Sequence, residues 1–136
     1  MKKRIISLLC ALVLGLGLCA CENTPLPEGF DQDEVLAQAE QVVDLMEARD
    51  YEGVSAMFSE ELLAELDAEA LEAAADEFMV SLGDFVKVAT RQVMGQKDDT
   101  LGDYAVVIIV CEYANDSASY TVSIDSDGKV CGLYVG

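Results

Sequence analysis

From residue 31 onward the chain changes its hydrophobic period once, and that change divides it in two. Val35, Ala39, Val42, Val43 and Met46 recur at three- and four-residue steps, the spacing of one buried helix face. The acids Asp31, Asp33 and Glu34 suit the start of that helix, and Arg49-Asp50 with Gly53 mark its end. A second helical stretch is predicted over roughly Tyr51 to Leu66, with Val54, Met57, Phe58, Leu62 and Leu63 apolar. Asp67 is placed to cap a third, Ala68 to Leu82, whose buried side is Leu71, Ala74, Ala75, Phe78 and Leu82, and Gly83 stops it. Beyond Gly83 the period drops to two. Strands are predicted at Phe85–Gln96, Tyr104–Ala114, Ala118–Asp125 and Lys129–Val135, joined by "KDDTLG", "NDS" and "DSDG", all turn-forming runs. Helices followed by a run of strands predict an α+β domain: three N-terminal helices packed on one face of a curved four-stranded antiparallel meander sheet.

Before residue 31 the pattern is of another kind. Lys2, Lys3 and Arg4 precede an apolar run from Ile5 to Leu18, and polarity returns after Cys21. This is the layout of an export signal, and its apolar stretch is shorter than the ~20 residues of a spanning helix. A retained membrane anchor and ordinary secretion are the alternatives. The run's end, Leu18-Cys19-Ala20-Cys21, resembles the lipobox of bacterial lipoproteins, in which a cysteine preceded by a small residue becomes the new N-terminus and carries a diacylglycerol with palmitate-type chains. Cys10 and Cys19 follow leucines; only Cys21 follows a small residue, Ala20. The resemblance implies lipid attachment at Cys21, with Cys19 a departure from the usual middle position, and residence outside the cytosol on the cell membrane. The expected divisions are a signal peptide at 1–20, a lipidated tether at 21–30 containing both prolines, and the α+β domain at 31–136.

Charge narrows the partners. The whole chain carries 26 acidic and 8 basic residues. From Cys21 onward the 26 acids face only Arg49, Lys87, Arg91, Lys97 and Lys129, a net charge of −21. Nucleic acid, bound through Lys and Arg on phosphates, is excluded as a partner, and so is flat adsorption to an anionic membrane. The surplus acid keeps an exported domain in solution, or attracts cations or a basic partner.

Chemistry is sparse. There is no histidine, hence no Ser–His or Cys–His arrangement and none of the commonest metal ligand. No cofactor or metal ion is expected. Asp125–Gly128, "DSDG", begins like a calcium loop but runs into strand residues where the loop needs its later acid, so a hairpin turn is expected. Cys111 and Cys131 fall on the second and fourth strands. Two strand spacings put them ~9.6 Å apart, beyond bridging distance, so both are expected reduced and buried.

Strict alternation places Val107, Ile109, Cys111, Tyr113, Tyr120, Val122, Ile124, Cys131, Leu133 and Val135 on the face that receives the helices. The opposite face then mixes Lys87, Arg91, Glu112, Ser119, Thr121 and Ser123 with Phe85, Val93, Val106, Ile108, Val110, Val130 and Tyr134. So much apolar surface on a face left to water marks a candidate ligand or partner surface, for which Phe85, Lys87, Arg91, Ile108, Val110 and Tyr134 stand. Its expected uses are an envelope protein, a small ligand held by an anion-attracting Lys87–Arg91 pair, or a second copy of the chain. Plain strand propensity is the competing explanation for the β-branched residues.

The run "ARDYEGVSAMFSEEL", the acidic helix ending "SLGDF" and the closing strands "YTVSIDSDGKVCGLYV" resemble domain-of-unknown-function family 3887, over about residues 33–136. The resemblance implies a nuclear transport factor 2-like (cystatin-like) fold, a curved sheet wrapped around helices that sometimes encloses a pocket or pairs through its outer face. It brings no catalytic residues. The expectation is a membrane-anchored binding module rather than an enzyme. A small enzyme using pocket carboxylates and tyrosines, and a passive structural lipoprotein, are the alternatives.

Overall fold

The computed structural model describes residues 25–98 and 102–136. The leader and Cys21 lie outside the described residues. The elements are α1 (Gln32–Glu47), α2 (Tyr51–Ser55), α3 (Glu60–Glu65), α4 (Ala68–Leu82), then β1 (Phe85–Asp98), β2 (Gly102–Tyr113), β3 (Ser117–Asp125) and β4 (Val130–Val135). The strands form one open antiparallel sheet in the order β1-β2-β3-β4. The fold is thus α+β with the meander that turn chemistry predicts, and each strand begins and ends within two residues of its predicted limits.

Each helix starts on a side chain that accepts a backbone N–H three residues on. Asp31 accepts from Glu34 at 3.1 Å, Asp50 from Gly53 at 3.0 Å, Ser59 from Leu62 at 3.3 Å and Asp67 from Ala70 at 2.8 Å. Such caps contribute ~1 kcal/mol apiece. α1 ends in a Schellman turn, with Arg49 at φ 57°, its N–H on the Met46 carbonyl and the Asp50 N–H on that of Leu45.

The predicted helix over Tyr51–Leu66 is two helices, a correction with a tertiary cause. Between them the Ser59 N–H donates to the Val130 carbonyl at 2.8 Å and the Val130 N–H donates to the Met57 carbonyl at 2.8 Å, a parallel bridge at Phe58. The chain leaves the helix to satisfy part of the open edge of β4, then re-enters at Ser59. The domain therefore has four helices among the described residues, not three.

The core lies between helices and sheet. Val35, Ala39, Val42, Val43 and Met46 of α1, with Tyr51, Val54, Leu71, Met79 and Leu82, meet Ala105, Val107, Ile109 and Cys111 of β2 and Ala118, Tyr120, Val122 and Ile124 of β3. α1 crosses β1, β2 and β3, α3 touches β4, and α4 packs on α2. No helix among the described residues is long and apolar enough to cross a membrane.

Candidate functional site

Three bulges decide which side chains reach the outer face of the sheet, the face opposite the helices. On β1, Phe85 pairs with Tyr113 and Lys87 with Glu112, leaving Val86 extra; Val88 pairs with Cys111 and Thr90 with Val110, leaving Ala89 extra. A bulge adds one residue and reverses the alternation beyond it. On β4, Ser123 pairs with Gly132 and Ile124 with Val130, leaving Cys131 extra.

The expected surface is consequently divided. Ile108, Val110 and Tyr134 stay on the outer face: Gln92, Ile108, Thr121 and Tyr134 form one row across four strands, with Thr90, Val110 and Ser119 the next. Lys87 stays there too, 3.4 Å from Glu112 in an exposed pair. Arg91 does not. It pairs with Ile109 in register, on the helix side, and its Nε donates to Glu40 of α1 at 2.8 Å. The two cations lie on opposite faces, so the anion-attracting pair is not formed. Phe85 also leaves the outer face: it pairs with Tyr113 and packs edge-on against that ring, centres 5.7 Å apart, while staying exposed at the sheet's end. Val93 pairs with buried Val107, and Val130 is in the core. Cys131, expected buried, is exposed because the bulge turns it out, whereas Cys111 is buried as expected; both are free thiols on strands separated by β3.

What remains is narrower than alternation predicts. Val106, Ile108 and Val110 form a half-buried apolar stripe along β2, continued by Met94 and Tyr134. Thr90 and Gln92 border it on one side, Ser119, Thr121 and Ser123 on the other. No described helix packs on it. A stripe of β-branched carbons edged by hydroxyls and amides offers apolar contact with hydrogen bonds at its margins.

Inside the domain lies a polar cluster that pattern reading missed. The hydroxyls of Tyr113 and Tyr120 are 2.6 Å apart, the Tyr113 hydroxyl donates to Glu47 Oε1 at 3.3 Å, and the Tyr120 hydroxyl lies 3.6 Å from the Met79 sulfur. If Tyr120 donates to Tyr113, each proton is used once and the chain ends on the carboxylate. Burial raises the Glu47 carboxyl above its ordinary value, opposed by the Tyr113 hydrogen bond and helped by Asp44. Burial likewise pushes the Tyr120 phenol up to about 12 and the Cys111 thiol to about 11, and it raises the Tyr113 phenol as well. Tyr51 is similar, at about 12, from burial and its 3.0 Å hydrogen bond to Asp76. The signal for this cluster, two tyrosines on the predicted inner face, was present in the sequence; their partner Glu47 was not identifiable, since only the fold brings α1's last turn to β2.

The space a pocket would occupy between helices and sheet is filled by Tyr120, Met46, Leu82, Ile109 and Ile124. A shallow open depression of about 350 Å³ lies elsewhere, lined by Arg49, Asp50, Tyr51, Glu52, Ala68, Glu69 and Glu72. No group of three or more metal-ligating side chains occurs among the described residues. The Asp125 carboxylate is occupied as a turn cap, accepting the N–H groups of Asp127 and Lys129 at 3.0 Å each.

The family model described as "Protein of unknown function (DUF3887)" matches residues 39–133. Among solved structures, the chain is similar to one titled "NMR structure of protein from Ruminococcus gnavus ATCC 29149", with 27% identity and a TM-score of 0.69 over 82% of this chain and 96% of that one. No curated protein matches the sequence.

Proposed function

This chain belongs to the DUF3887 family of proteins of unknown function, and from that premise we propose that it is a non-catalytic binding module moored outside the cytosol by a diacylglycerol thioether on Cys21. The observation that carries the binding reading is the bare outer face of the sheet, with its Val106–Ile108–Val110 stripe and Tyr134. A protein or peptide with an apolar ridge flanked by polar groups is the partner such a face fits, a second copy of the chain included. A nuclear transport factor 2-like arrangement belongs to the same reading, with the sheet curving about the helices and its convex side left for partners. The localisation draws on the leader pattern and on Ala20-Cys21.

The enzyme alternative has one observation in its favour, the desolvated Glu47 beside Tyr113. Catalysis there needs substrate within hydrogen-bond reach of those groups, and the Tyr120 hydroxyl, Met79 and surrounding core side chains occupy that space.

Photo-crosslinking in intact cells tests the binding face. A photoreactive residue at Ile108 or Tyr134 should give a discrete adduct, of twice the monomer mass for self-association or of other mass for a foreign partner, and one at exposed Glu65 of α3 should not. Equal adducts from Glu65, or none from the sheet positions, would refute the surface. For the anchor, Cys21→Ser should abolish fatty-acid labelling and membrane retention; unchanged labelling would refute it.

A further inference from the structure

Residues 25–30, which lead into the first helix, are held against the domain. Pro27 is buried, and Leu26 and Phe30 pack on the core. The Phe30 N–H donates to the Pro27 carbonyl at 3.3 Å, closing a turn in which Gly29 has φ 95°. The strap's backbone lies directly on Gly95 of β1. A Cβ there would come 3.0 Å from Leu26 Cα, 2.7 Å from Pro27 Cδ and closer still to the Pro25 carbonyl oxygen. Gly95 is therefore a seat, a place where another backbone replaces a side chain.

The seat has a definite position. Gly95 pairs with Ala105, near the β1–β2 turn, and Tyr104 beside it pairs with Asp125, so the β3–β4 turn lies at the same end of the sheet. Gln38 of α1 donates to the Gly128 carbonyl at 3.0 Å and ties the helix layer to that end. Phe85 and the turn at 114–116 lie at the other end, where Asn115 N–H caps the Leu82 carbonyl of α4.

We propose that residues 25–30 are a docking strap that fixes the lipid at the β1–β2 turn end, so that this end and the Asp125–Lys129 turn are the surface presented to the bilayer. The proposal rests on acylation of Cys21. Four residues from Cys21 to Pro25 reach at most ~14 Å, whereas an undocked chain would allow ten, to Asp31, and ~35 Å. Gly95 to Phe85 spans eight paired positions of the sheet, Ala105 to Tyr113 on β2, ~27 Å, which carries the opposite end well away from the headgroups. The presented end is acidic, with Asp98, Asp103, Asp125 and Asp127 against Lys97 and Lys129. On an anionic bilayer that end is repelled, and the docked strap is what holds it close.

The test uses the full-length lipoprotein, processed in cells and reconstituted into phosphatidylcholine–phosphatidylglycerol vesicles carrying a headgroup-linked energy acceptor. A donor dye goes on exposed Cys131, next to the β3–β4 turn, or, with Cys131→Ser, on Ser117→Cys at the far end. Donor quenching should be several-fold greater at 131 than at 117. Gly95→Val, which unseats the strap, should bring the ratio below about twofold. Pro25→Gly with Pro27→Gly, which leaves the sheet untouched, should do the same. Equal quenching at the two sites, or a ratio unmoved by both variants, overturns the strap. Failure of the acylation reading shows differently: the protein then does not float with the vesicles and its mass lacks the diacylglycerol adduct, which removes the premise and the proposal with it.

Discussion

Deleting the Tyr113 hydroxyl should destabilise the domain more than deleting that of Tyr120, although Tyr120 is the deeper residue, with no exposed surface. In Tyr120→Phe the Tyr113 hydroxyl keeps Glu47 at 3.3 Å, so the loss is one neutral hydrogen bond, ~0.5–1.5 kcal/mol. In Tyr113→Phe the Tyr120 hydroxyl is stranded with only the Met79 thioether, a weak acceptor at 3.6 Å. A buried hydroxyl left in that state costs ~1–3 kcal/mol. Removing both hydroxyls leaves two apolar rings in contact and no orphan, so the double variant should cost less than the sum, with a coupling of ~0.5–1.5 kcal/mol. Urea unfolding followed by circular dichroism gives the free energies. Thermal melts provide a second reading, at roughly 4 °C per kcal/mol for a domain of this size. If Tyr120→Phe is the costlier single change, or if the two changes add without coupling, the donor chain running from Tyr120 through Tyr113 to Glu47 is wrong.

Other outcomes follow from the same geometry. Glu47 binds its proton more tightly in the folded domain than in the unfolded chain, so its contribution to stability falls as pH rises from the ordinary value of 4.5 and stays unfavourable above the folded value. Glu47→Gln should therefore stabilise at pH 7, by under ~1 kcal/mol because the group is only partly buried and still screened by solvent, and the gain should fade near pH 4; melts showing the same gain at both pH values would contradict this. Gly83→Ala should cost ~1–3 kcal/mol, since Gly83 has φ 78° and ψ −158° and an added Cβ would sit 2.9 Å from Asn115 Nδ2; an unfolding midpoint equal to that of the parent would refute the strain. Under native conditions a maleimide should modify Cys131 and spare Cys111 until the domain unfolds, which peptide mass mapping resolves.

The legible part of this fold is local. Asp67 announces its helix because a short side chain can cap backbone three residues ahead without help from the rest of the chain, and Asp31 marks the start of α1 with its neighbouring acids; Asp50, read as part of the end of α1, is also the cap of α2. The strands and their order were readable from period-two runs separated by turn residues, since sequential hairpins need no distant information. The surface was read less well, and for one reason. Arg91, Val93 and Phe85 were assigned to the wrong face because a bulge costs one residue of register and has no residue type of its own; Val86 and Ala89 look like ordinary strand residues. Val130 and Cys131 exchanged places by the same device.

Sequence alone determined where α1, α2 and α4 begin, where the strands lie, how many strands there are, in what order they pair, and that the core-facing rows of β2 and β3 are apolar, because all of these depend on neighbours a few residues away. Tertiary structure decided the rest: the break at Met57–Ser59 made by the edge of β4, the joining of Glu47 to Tyr113 across 66 residues, the ion pair that takes Arg91 to Glu40, and the seating of Pro25–Pro27 on Gly95. Each is a contact between segments far apart in the chain, where the free energy gained by packing outweighs a local preference, and no window of sequence contains both partners.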